Sequence, residues 1–300
     1  MSARSARGDI VLELKYERPT TIKEAVGLMV QDGVRLLAGG TDLIPQLREG
    51  RRSARVVIDL KHIPEMTAIA RLPDGAWSLG AATTISALGA HPEFAGEHGA
   101  LLDAGRLIGS LQIQNRASLG GNLCNAAPSA DAVPLLIALE AMVEIVSAGN
   151  RRRISTEEIA SAPGRITLAP GELVTAIHIP AQASRSAARY LRFTPRREMD
   201  IAVAGSGVAI ALDPRGNIET ARITLASVAP TPLRAAQAES SLVGQQPSQA
   251  AFTAAAAMAA NEARPISDTR GAAEYRRELV AVLTRRALAD CARQLGVELV

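Results

Sequence analysis

The first forty residues show two kinds of hydrophobic pattern. Val11 to Leu14 alternates apolar and charged residues, which predicts a strand. The segment IKEAVGLMVQ then repeats apolar residues three and four positions apart. Thr21 precedes it and Glu24 lies three positions further on, which is the pattern of a capping box. We therefore predict a strand followed by a helix that begins after Thr21 and is terminated by Gly33.

The next apolar runs predict a small parallel sheet. VRLLAGG predicts a buried strand that enters a Gly-Gly loop, LIPQLREG predicts a short helix, and RVVIDL predicts a further apolar strand. Strands that alternate with helices pair in parallel, and the crossover between them is right-handed. The sequence to about residue 60 thus predicts a β-α-β-α-β unit.

From Ile69 onwards short strands are separated by turn residues. AWSLGA, MVEIVSA and ELVTAIHIP predict strands, while Pro73-Asp74-Gly75 and Gly149-Asn150 predict turns, a combination that favours an antiparallel sheet. Helices are predicted between these strands at ISALGAHPEF, HGALLDAGRLIG and DAVPLLIALE.

A second, smaller domain is predicted after the small and polar stretch 180–186. AVAGSGVAIAL and ARITLASVAP flank the turn Asp213-Pro214-Arg215-Gly216 and predict a hairpin or meander. Three Ala-rich helices are predicted after it, at PLRAAQAESSLV, SQAAFTAAAAMAANEA and AAEYRRELVAVLTRRALADCARQLG.

Composition excludes several classes of function. The 33 basic and 30 acidic residues nearly balance, and aromatic residues make up only 2%, so we expect no nucleic-acid partner. Cys124 and Cys291 are too few for a disulfide scaffold or an iron–sulfur cluster, and the four histidines lack metal-ligand spacing. No apolar run is long enough to cross a membrane, and the first ten residues lack a secretory core. We expect a cytoplasmic protein without a transmembrane segment.

Two segments carry the pattern of a binding site. The first Gly-Gly segment is Ala38-Gly39-Gly40-Thr41-Asp42, and the second is Ser118-Leu119-Gly120-Gly121-Asn122. Glycine lets the backbone approach a ligand closely, and successive N–H groups at a helix start bind anions. Either segment alone favours an ordinary strand-to-helix turn. Together they favour a ligand with a diphosphate, whereas G-x-G-x-x-G and the P-loop lysine are both missing.

Five motifs in order resemble one family. LLAGGTDLIPQL, LGAATTIS, IQNRASLGGNLCNAAPSAD, LAPGELVTAIHIP and RYLRFTPRREMDIAVAG resemble the FAD-binding medium subunit of the molybdenum hydroxylase or xanthine dehydrogenase family. That family includes the medium subunit of carbon monoxide dehydrogenase and the FAD subunit of nicotinate dehydrogenase. The resemblance implies an α+β protein with a vanillyl-alcohol-oxidase-type (PCMH-type) FAD-binding domain over 8–182, in subdomains of about 8–62 and 63–182. A C-terminal antiparallel sheet with a helical bundle is implied over 187–300.

The resemblance also implies that this chain binds FAD. We predict that the link is not covalent, because neither Gly-Gly segment contains the His or Cys that covalent flavin attachment needs, and Cys124 is the one thiol close by. Tyr190 and Ile108 are weaker candidates for packing on the flavin ring, and a cation at Arg192 would stabilise a reduced, anionic flavin. No residue is assigned a catalytic role. The implied cofactor contacts are Leu37, Ala38, Gly39, Gly40, Thr41, Asp42, Leu43, Thr83, Thr84, Ser118, Leu119, Gly120, Gly121, Asn122, Asp131, Val174 and Arg192.

Several of these residues have an ordinary structural alternative. Asp131 could simply start the helix DAVPLL, Val174 could be a core strand residue, and Arg192 is one of many arginines. We interpret Cys124 as a buried, small hydrophobic residue rather than a catalytic thiol, because the sequence places no base beside it. Two arginine pairs favour a solvated or subunit-facing helix surface, namely Arg276-Arg277 and Arg285-Arg286.

The resemblance implies an electron-transfer subunit. FAD would carry electrons from [2Fe-2S] clusters of a small partner to an external acceptor, while a large partner holds the molybdenum cofactor, in a dimer of heterotrimers. Two alternatives are a self-contained FAD-dependent oxidase or reductase of this fold and a non-catalytic Arg-rich binding module, which the Gly-Gly segments disfavour. The first Gly-Gly segment lacks the His-Ser common in carbon monoxide dehydrogenases, and the cysteine-rich insertion of 4-hydroxybenzoyl-CoA reductase is missing, so the substrate stays open.

Overall fold

A computed structural model describes residues 14–197 and 199–299 of the chain. Its first sheet has three parallel strands in the order β1-β3-β2, which confirms the predicted β-α-β-α-β unit. Residues 11–13 of the first predicted strand lie outside the described residues, and β1 begins just after Leu14. The elements are β1 (Lys15–Glu17), α1 (Ile22–Leu28), β2 (Val34–Leu37), α2 (Leu43–Arg48) and β3 (Val56–Asp59).

Two details of this unit differ from the prediction. Helix α1 ends at Leu28, and its capping interactions are shared between two threonines: Thr21 Oγ1 accepts from Glu24 N–H at 3.1 Å, while Glu24 accepts from Thr20 N–H at 2.8 Å. Strand β2 is only half-buried apart from Leu37, because it lies at the edge of the sheet, whereas the central strand β3 is buried throughout.

The second sheet is antiparallel, as predicted, with the order β4-β5-β10-β6-β7. Both predicted turns join neighbouring strands of this sheet, and sequence analysis did not predict β4 or β7. Two 3₁₀ turns, Leu60–His62 and Pro64–Thr67, connect it to β3. The strands of this region are β4 (Ile69–Arg71), β5 (Trp77–Gly80), β6 (Met142–Ser147), β7 (Asn150–Ser155), β8 (Ala160–Ala162), β9 (Arg165–Ile166) and β10 (Leu173–Ile179), where β8 and β9 pair separately.

Short helices fill the long connection between β5 and β6. The predicted helix ISALGAHPEF is divided at Pro92, which starts a new helix because proline suits the first helical turn. The helices are α3 (Ile85–Ala90), α4 (Pro92–Glu97), α5 (Gly99–Arg106), α6 (Leu111–Gln114), α7 (Leu119–Cys124) and α8 (Val133–Ala138).

The C-terminal region is an antiparallel sheet in the order β11-β12-β13-β14, covered by three helices. The predicted hairpin joins β12 to β13, and the three predicted helices are present. Leu233 and Arg234, predicted as helical, instead pair with β13 as strand β14. The elements are β11 (Ser186–Phe193), β12 (Ala204–Leu212), β13 (Ile218–Ala226), β14 (Leu233–Arg234), α9 (Ala236–Leu242), α10 (Gln249–Glu262) and α11 (Ala273–Gln294).

The C-terminal sheet packs directly on helix α8 of the preceding region. A Cβ atom added at Gly207 in β12 would lie only 2.9 Å from Pro134 in α8, so glycine permits this close approach. The contact brings β11 beside the chain that enters α8. Residues far apart in sequence, on β11 and before α8, can therefore share one site.

Arg276 corrects the prediction that both arginine pairs lie on the helix surface. It is buried in α11 and donates to Val203 O at 2.8 Å, Ser227 O at 2.9 Å and Asp268 Oδ1 at 2.6 Å. These three acceptors make burial of the guanidinium tolerable. Arg285 and Arg286 are exposed, as predicted. No helix in residues 14–197 and 199–299 has the length and hydrophobicity to cross a membrane.

Candidate functional site

A cavity opens where β2, α7 and β10 approach one another. Both Gly-Gly segments line it, so the structure brings the two predicted segments to one place. The predicted site residues in its wall are Ala38, Gly39, Gly40, Thr41, Asp42, Leu43, Ser118, Gly120, Gly121, Asn122 and Val174, together with Ile108.

The first Gly-Gly segment presents a row of unpaired backbone donors. Gly40 has a φ of +76°, which turns the chain from β2 towards α2. Within the part of the chain that the structure describes, the N–H groups of residues 39–42 donate neither to a backbone carbonyl nor to a side chain. Successive free N–H groups of this kind form a cradle for an anion.

The second Gly-Gly segment is a helix start rather than the predicted loop. Helix α7 begins at Leu119, and the hydroxyl of Ser118 caps it by accepting from the N–H of Gly121 at 3.0 Å. The cap satisfies one of the free donors that every helix start carries. Both glycines therefore have helical conformation, and this helix end faces the cavity.

The glycines serve two different purposes. A Cβ atom at Gly39 would lie 2.2 Å from Arg116 O, and one at Gly120 would lie 2.4 Å from Ala81 O. Glycine is required at both positions because two stretches of backbone touch there. A Cβ at Gly121 would meet only the Ser118 hydroxyl at 3.1 Å and Ala38 at 3.9 Å. Of these three, Gly121 alone fits the expectation that glycine leaves room for a ligand.

Two residues of the cavity wall carry buried polar atoms without partners in the described part of the chain. Asn122 Oδ1 and Arg35 Nε are buried and, among the described residues, have no hydrogen-bond partner. Buried polar atoms without partners are costly, so a ligand that pairs with them is favoured. Sequence analysis missed Arg35, Gln46 and Arg52, which also line the cavity. A charged residue inside the apolar run VRLL was the available signal for Arg35.

Six predicted site residues do not line the cavity: Leu37, Leu119, Thr83, Thr84, Asp131 and Arg192. Thr84 caps α3 by accepting from Ala87 N–H at 3.1 Å, and it forms an isolated β-bridge with Ser118. Thr83 is buried beside it. Thr84 therefore supports the second Gly-Gly segment from behind, whereas Thr83 Oγ1 donates to Ala68 O at 3.3 Å.

Asp131, Arg192 and Tyr190 form a buried polar cluster between α8 and β11. Arg192 Nη1 donates to Asp131 Oδ2 at 2.5 Å, and Tyr190 Oη donates to Asp131 Oδ1 at 3.0 Å. Burial raises the pKa of the Asp131 carboxyl to about 6, although Arg192 and Tyr190 favour its charged form. Asp131 does not cap α8, so that alternative is wrong. Arg192 is not a free cation, because its charge is paired with Asp131.

Cys124 lines the cavity as an uncharged thiol. Burial raises its pKa to about 12, so the thiolate that flavin attachment or nucleophilic attack requires is scarce near neutral pH. We expect acid precipitation of the flavin-loaded protein to leave the flavin in the supernatant. A yellow pellet after repeated washing would show a covalent link and contradict this expectation.

The fold and the cavity define a protein in which two Gly-Gly segments line one cavity, an arrangement suited to a ligand with a diphosphate. Comparison with known families gives the ligand. The family described as the FAD binding domain in molybdopterin dehydrogenase matches residues 12–182. The family described as the CO dehydrogenase flavoprotein C-terminal domain matches residues 189–291.

Individual relatives agree over nearly the whole chain. The xanthine dehydrogenase FAD-binding subunit of Escherichia coli is 29% identical over 95% of this chain and 98% of its own length. The carbon monoxide dehydrogenase medium chain of Afipia carboxidovorans is 33% identical, over 91% of this chain and 94% of its own. A structure of carbon monoxide dehydrogenase from Hydrogenophaga pseudoflava is also similar, with a TM-score of 0.89 and 29% identity. The match covers 94% of this chain and 98% of that chain, in an enzyme that lacks the Mo-pyranopterin moiety of its molybdenum cofactor.

The chain belongs to the family of FAD-binding domains of molybdopterin dehydrogenases. It is an oxidoreductase flavoprotein subunit with an α+β fold, as its five motifs imply. The cavity fits the cofactor, because unpaired N–H groups, a capped helix start and unpaired buried polar atoms meet there.

Proposed function

We propose that this chain is the electron-transfer subunit of a molybdenum-containing hydroxylase or dehydrogenase in the cytoplasm. Its FAD carries electrons from [2Fe-2S] clusters of a small partner subunit to an external acceptor. A large partner subunit holds the molybdenum cofactor, and the complex is a dimer of heterotrimers. The observation that carries the proposal is the cavity between the two Gly-Gly segments, with four successive unpaired N–H groups in its wall.

The wall of the cavity supports a binding role. When bound, FAD supplies a redox centre that exchanges electrons one or two at a time. The N–H groups of residues 39–42 would hold one side of the diphosphate, and the start of α7 at Leu119 would hold the other. Asn122 Oδ1 is an acceptor and Arg35 Nε is a donor, so a hydroxyl or N–H group of the cofactor would satisfy the first and a cofactor oxygen the second.

Acid–base chemistry on a substrate has little support in this cavity. Apart from arginines, the titratable residues among its described lining are Asp42, Cys124 and Glu172. Asp42 is exposed and Cys124 keeps its proton. Glu172 accepts two hydrogen bonds of 2.8 Å from Arg152, which holds the pKa of Glu172 below its ordinary value. None of these three side chains is suited to act as an acid or base on a substrate, which favours electron transfer over a self-contained oxidase or reductase.

We also propose the domain division and the remaining cofactor contacts. The FAD-binding domain covers 8–182, with subdomains of about 8–62 and 63–182, and the C-terminal domain covers 187–300. The first two sheets lie within 15–179 and the third within 186–234, which supports a boundary between them. We propose that Asp131 and Arg192 contact the flavin beyond the cavity wall described above, and their salt bridge would present them as one ion pair.

Purification from the native host followed by a visible spectrum tests this proposal. We expect flavin bands together with iron–sulfur absorbance, and two further polypeptides that co-purify with this chain. Flavin bands without partners would favour the self-contained oxidase or reductase. A colourless protein would contradict both and favour a non-catalytic binding module.

A further inference from the structure

A half-buried lysine lies behind the first Gly-Gly segment, outside the cavity. Lys61 follows β3 in the 3₁₀ turn Leu60–His62, and its side chain is only 17% exposed. Its Nζ atom donates to Ala38 O at 2.7 Å and to Asp59 Oδ1 at 2.5 Å. Ala38 is the residue at which the chain leaves β2 and enters the cavity wall. The ammonium group therefore joins the end of β3 to the start of the segment.

Asp59 holds Lys61 in this position. Its side chain is 4% exposed, and it also accepts from the backbone N–H of Lys61 at 3.0 Å and from the hydroxyl of Tyr16. Burial alone would raise the pKa of Asp59, but the hydrogen bonds from Lys61 and Tyr16 hold it below its ordinary value. The carboxylate thus stays charged at neutral pH. A charged hydrogen bond in a buried place is stronger than a neutral one.

The hydrogen bond to Ala38 O fixes the peptide that begins the segment. In a planar trans peptide the carbonyl and the N–H group point in opposite directions. Lys61 holds Ala38 O, so the N–H of Gly39 is directed away from Lys61. Gly39 lines the cavity, whereas Lys61 does not. A cation on the carbonyl also polarises the peptide and strengthens its N–H as a donor.

We propose that Lys61 is a positioning residue for the FAD diphosphate, acting through the carbonyl of Ala38 with Asp59 as its anchor. The inference rests on the proposed function, because it requires that the first Gly-Gly segment binds the diphosphate. Lys61 itself touches no part of the cofactor.

Lys61→Met tests the inference in the full-length chain after its flavin is removed. We expect the dissociation constants for FAD and for ADP, which shares the diphosphate, to rise at least about tenfold and by the same factor, since charged hydrogen bonds contribute on this scale. Lys61→Arg should retain most of the affinity. Lys23→Met is the matched control, because Lys23 is exposed on α1, and it should bind both ligands as the wild type does.

Each other outcome has a defined meaning. Unchanged affinity in Lys61→Met, or weaker binding of FAD with unchanged binding of ADP, would overturn the positioning role. Reduced thermal stability without a change in either dissociation constant would show a structural role instead. If Lys61→Met fails to fold, Lys61→Gln, which keeps a donor but loses the charge, should give a smaller shift of the same kind. A wild-type chain that binds neither ligand would instead refute the proposed function.

Discussion

Gly121→Ala is expected to weaken FAD binding about tenfold or more while leaving the flavin-free protein as stable as the wild type. The added methyl group meets only the Ser118 hydroxyl at 3.1 Å and Ala38 at 3.9 Å, and otherwise it occupies the cavity. Alanine also suits a helix better than glycine does, and Gly121 lies within α7. Loss of one charge-assisted contact to phosphate corresponds to about 1.5–3 kcal/mol. Equilibrium titration with FAD and thermal unfolding of the flavin-free protein measure the two effects separately.

Two other glycines supply the controls for this experiment. Gly27 is exposed on α1 and a Cβ there has open space, so Gly27→Ala should leave FAD binding unchanged. Gly39→Ala should instead destabilise the folded chain, because its Cβ would lie 2.2 Å from a backbone oxygen. Normal FAD affinity in a folded Gly121→Ala protein would remove the start of α7 from the diphosphate site.

Arg192→Met is expected to lower the free energy of unfolding by about 3–5 kcal/mol at pH 8, the usual cost of leaving one charge of a buried pair without its partner. The stranded group is Asp131, which Arg192 and Tyr190 contact in the wild type. Urea unfolding with linear extrapolation measures the change. Arg285→Met, at an exposed position of α11, is the matched control and should change stability little.

The stability deficit of Arg192→Met, meaning the loss of unfolding free energy relative to the wild type, should depend on pH. The pKa of Asp131 is raised from 3.8 to about 6 in the folded wild type, and removal of Arg192 raises it further. A carboxyl with a raised folded-state pKa contributes stability below its unfolded pKa and loses that stability as the pH rises through the folded value. The deficit should therefore be smaller at pH 5 than at pH 8.

A second substitution separates charge from packing in this cluster. Asp131→Asn combined with Arg192→Met removes both charges, so it should recover much of the stability lost at pH 8. A deficit that is equal at pH 5 and pH 8, or that the double variant does not reduce, would show that Arg192 contributes packing rather than charge pairing.

Much of the secondary structure follows from local sequence. The parallel β-α-β-α-β unit, the antiparallel sheet, the hairpin around Asp213 and the three C-terminal helices were all predicted, because hydrophobic periodicity and turn residues act over short distances. The positions of both Gly-Gly segments at one cavity were also predicted, and the ordered motifs identified the family correctly.

Tertiary structure decided what those residues contact. Gly39 and Gly120 are required by neighbouring backbone, α7 is helical because Ser118 caps it, and β14 pairs only because β13 offers an edge. None of these contacts can be predicted from the local pattern of hydrophobic and turn residues in the sequence. Sequence analysis also assigned Arg276 to the surface, although it is buried and donates hydrogen bonds to three acceptors.

The largest difference concerns charged residues that meet across long stretches of chain. Asp131 and Arg192 are 61 positions apart, and Lys61 and Ala38 are 23 positions apart. The sequence by itself determined most of the elements, the family and the cofactor, since these depend on local patterns and ordered motifs. Only the folded chain decided which charges are paired, because pairing depends on the packing of α8 against β12 and β13 and of β3 beside β2. Burial then sets the strength of each pair, and burial is a property of the whole fold.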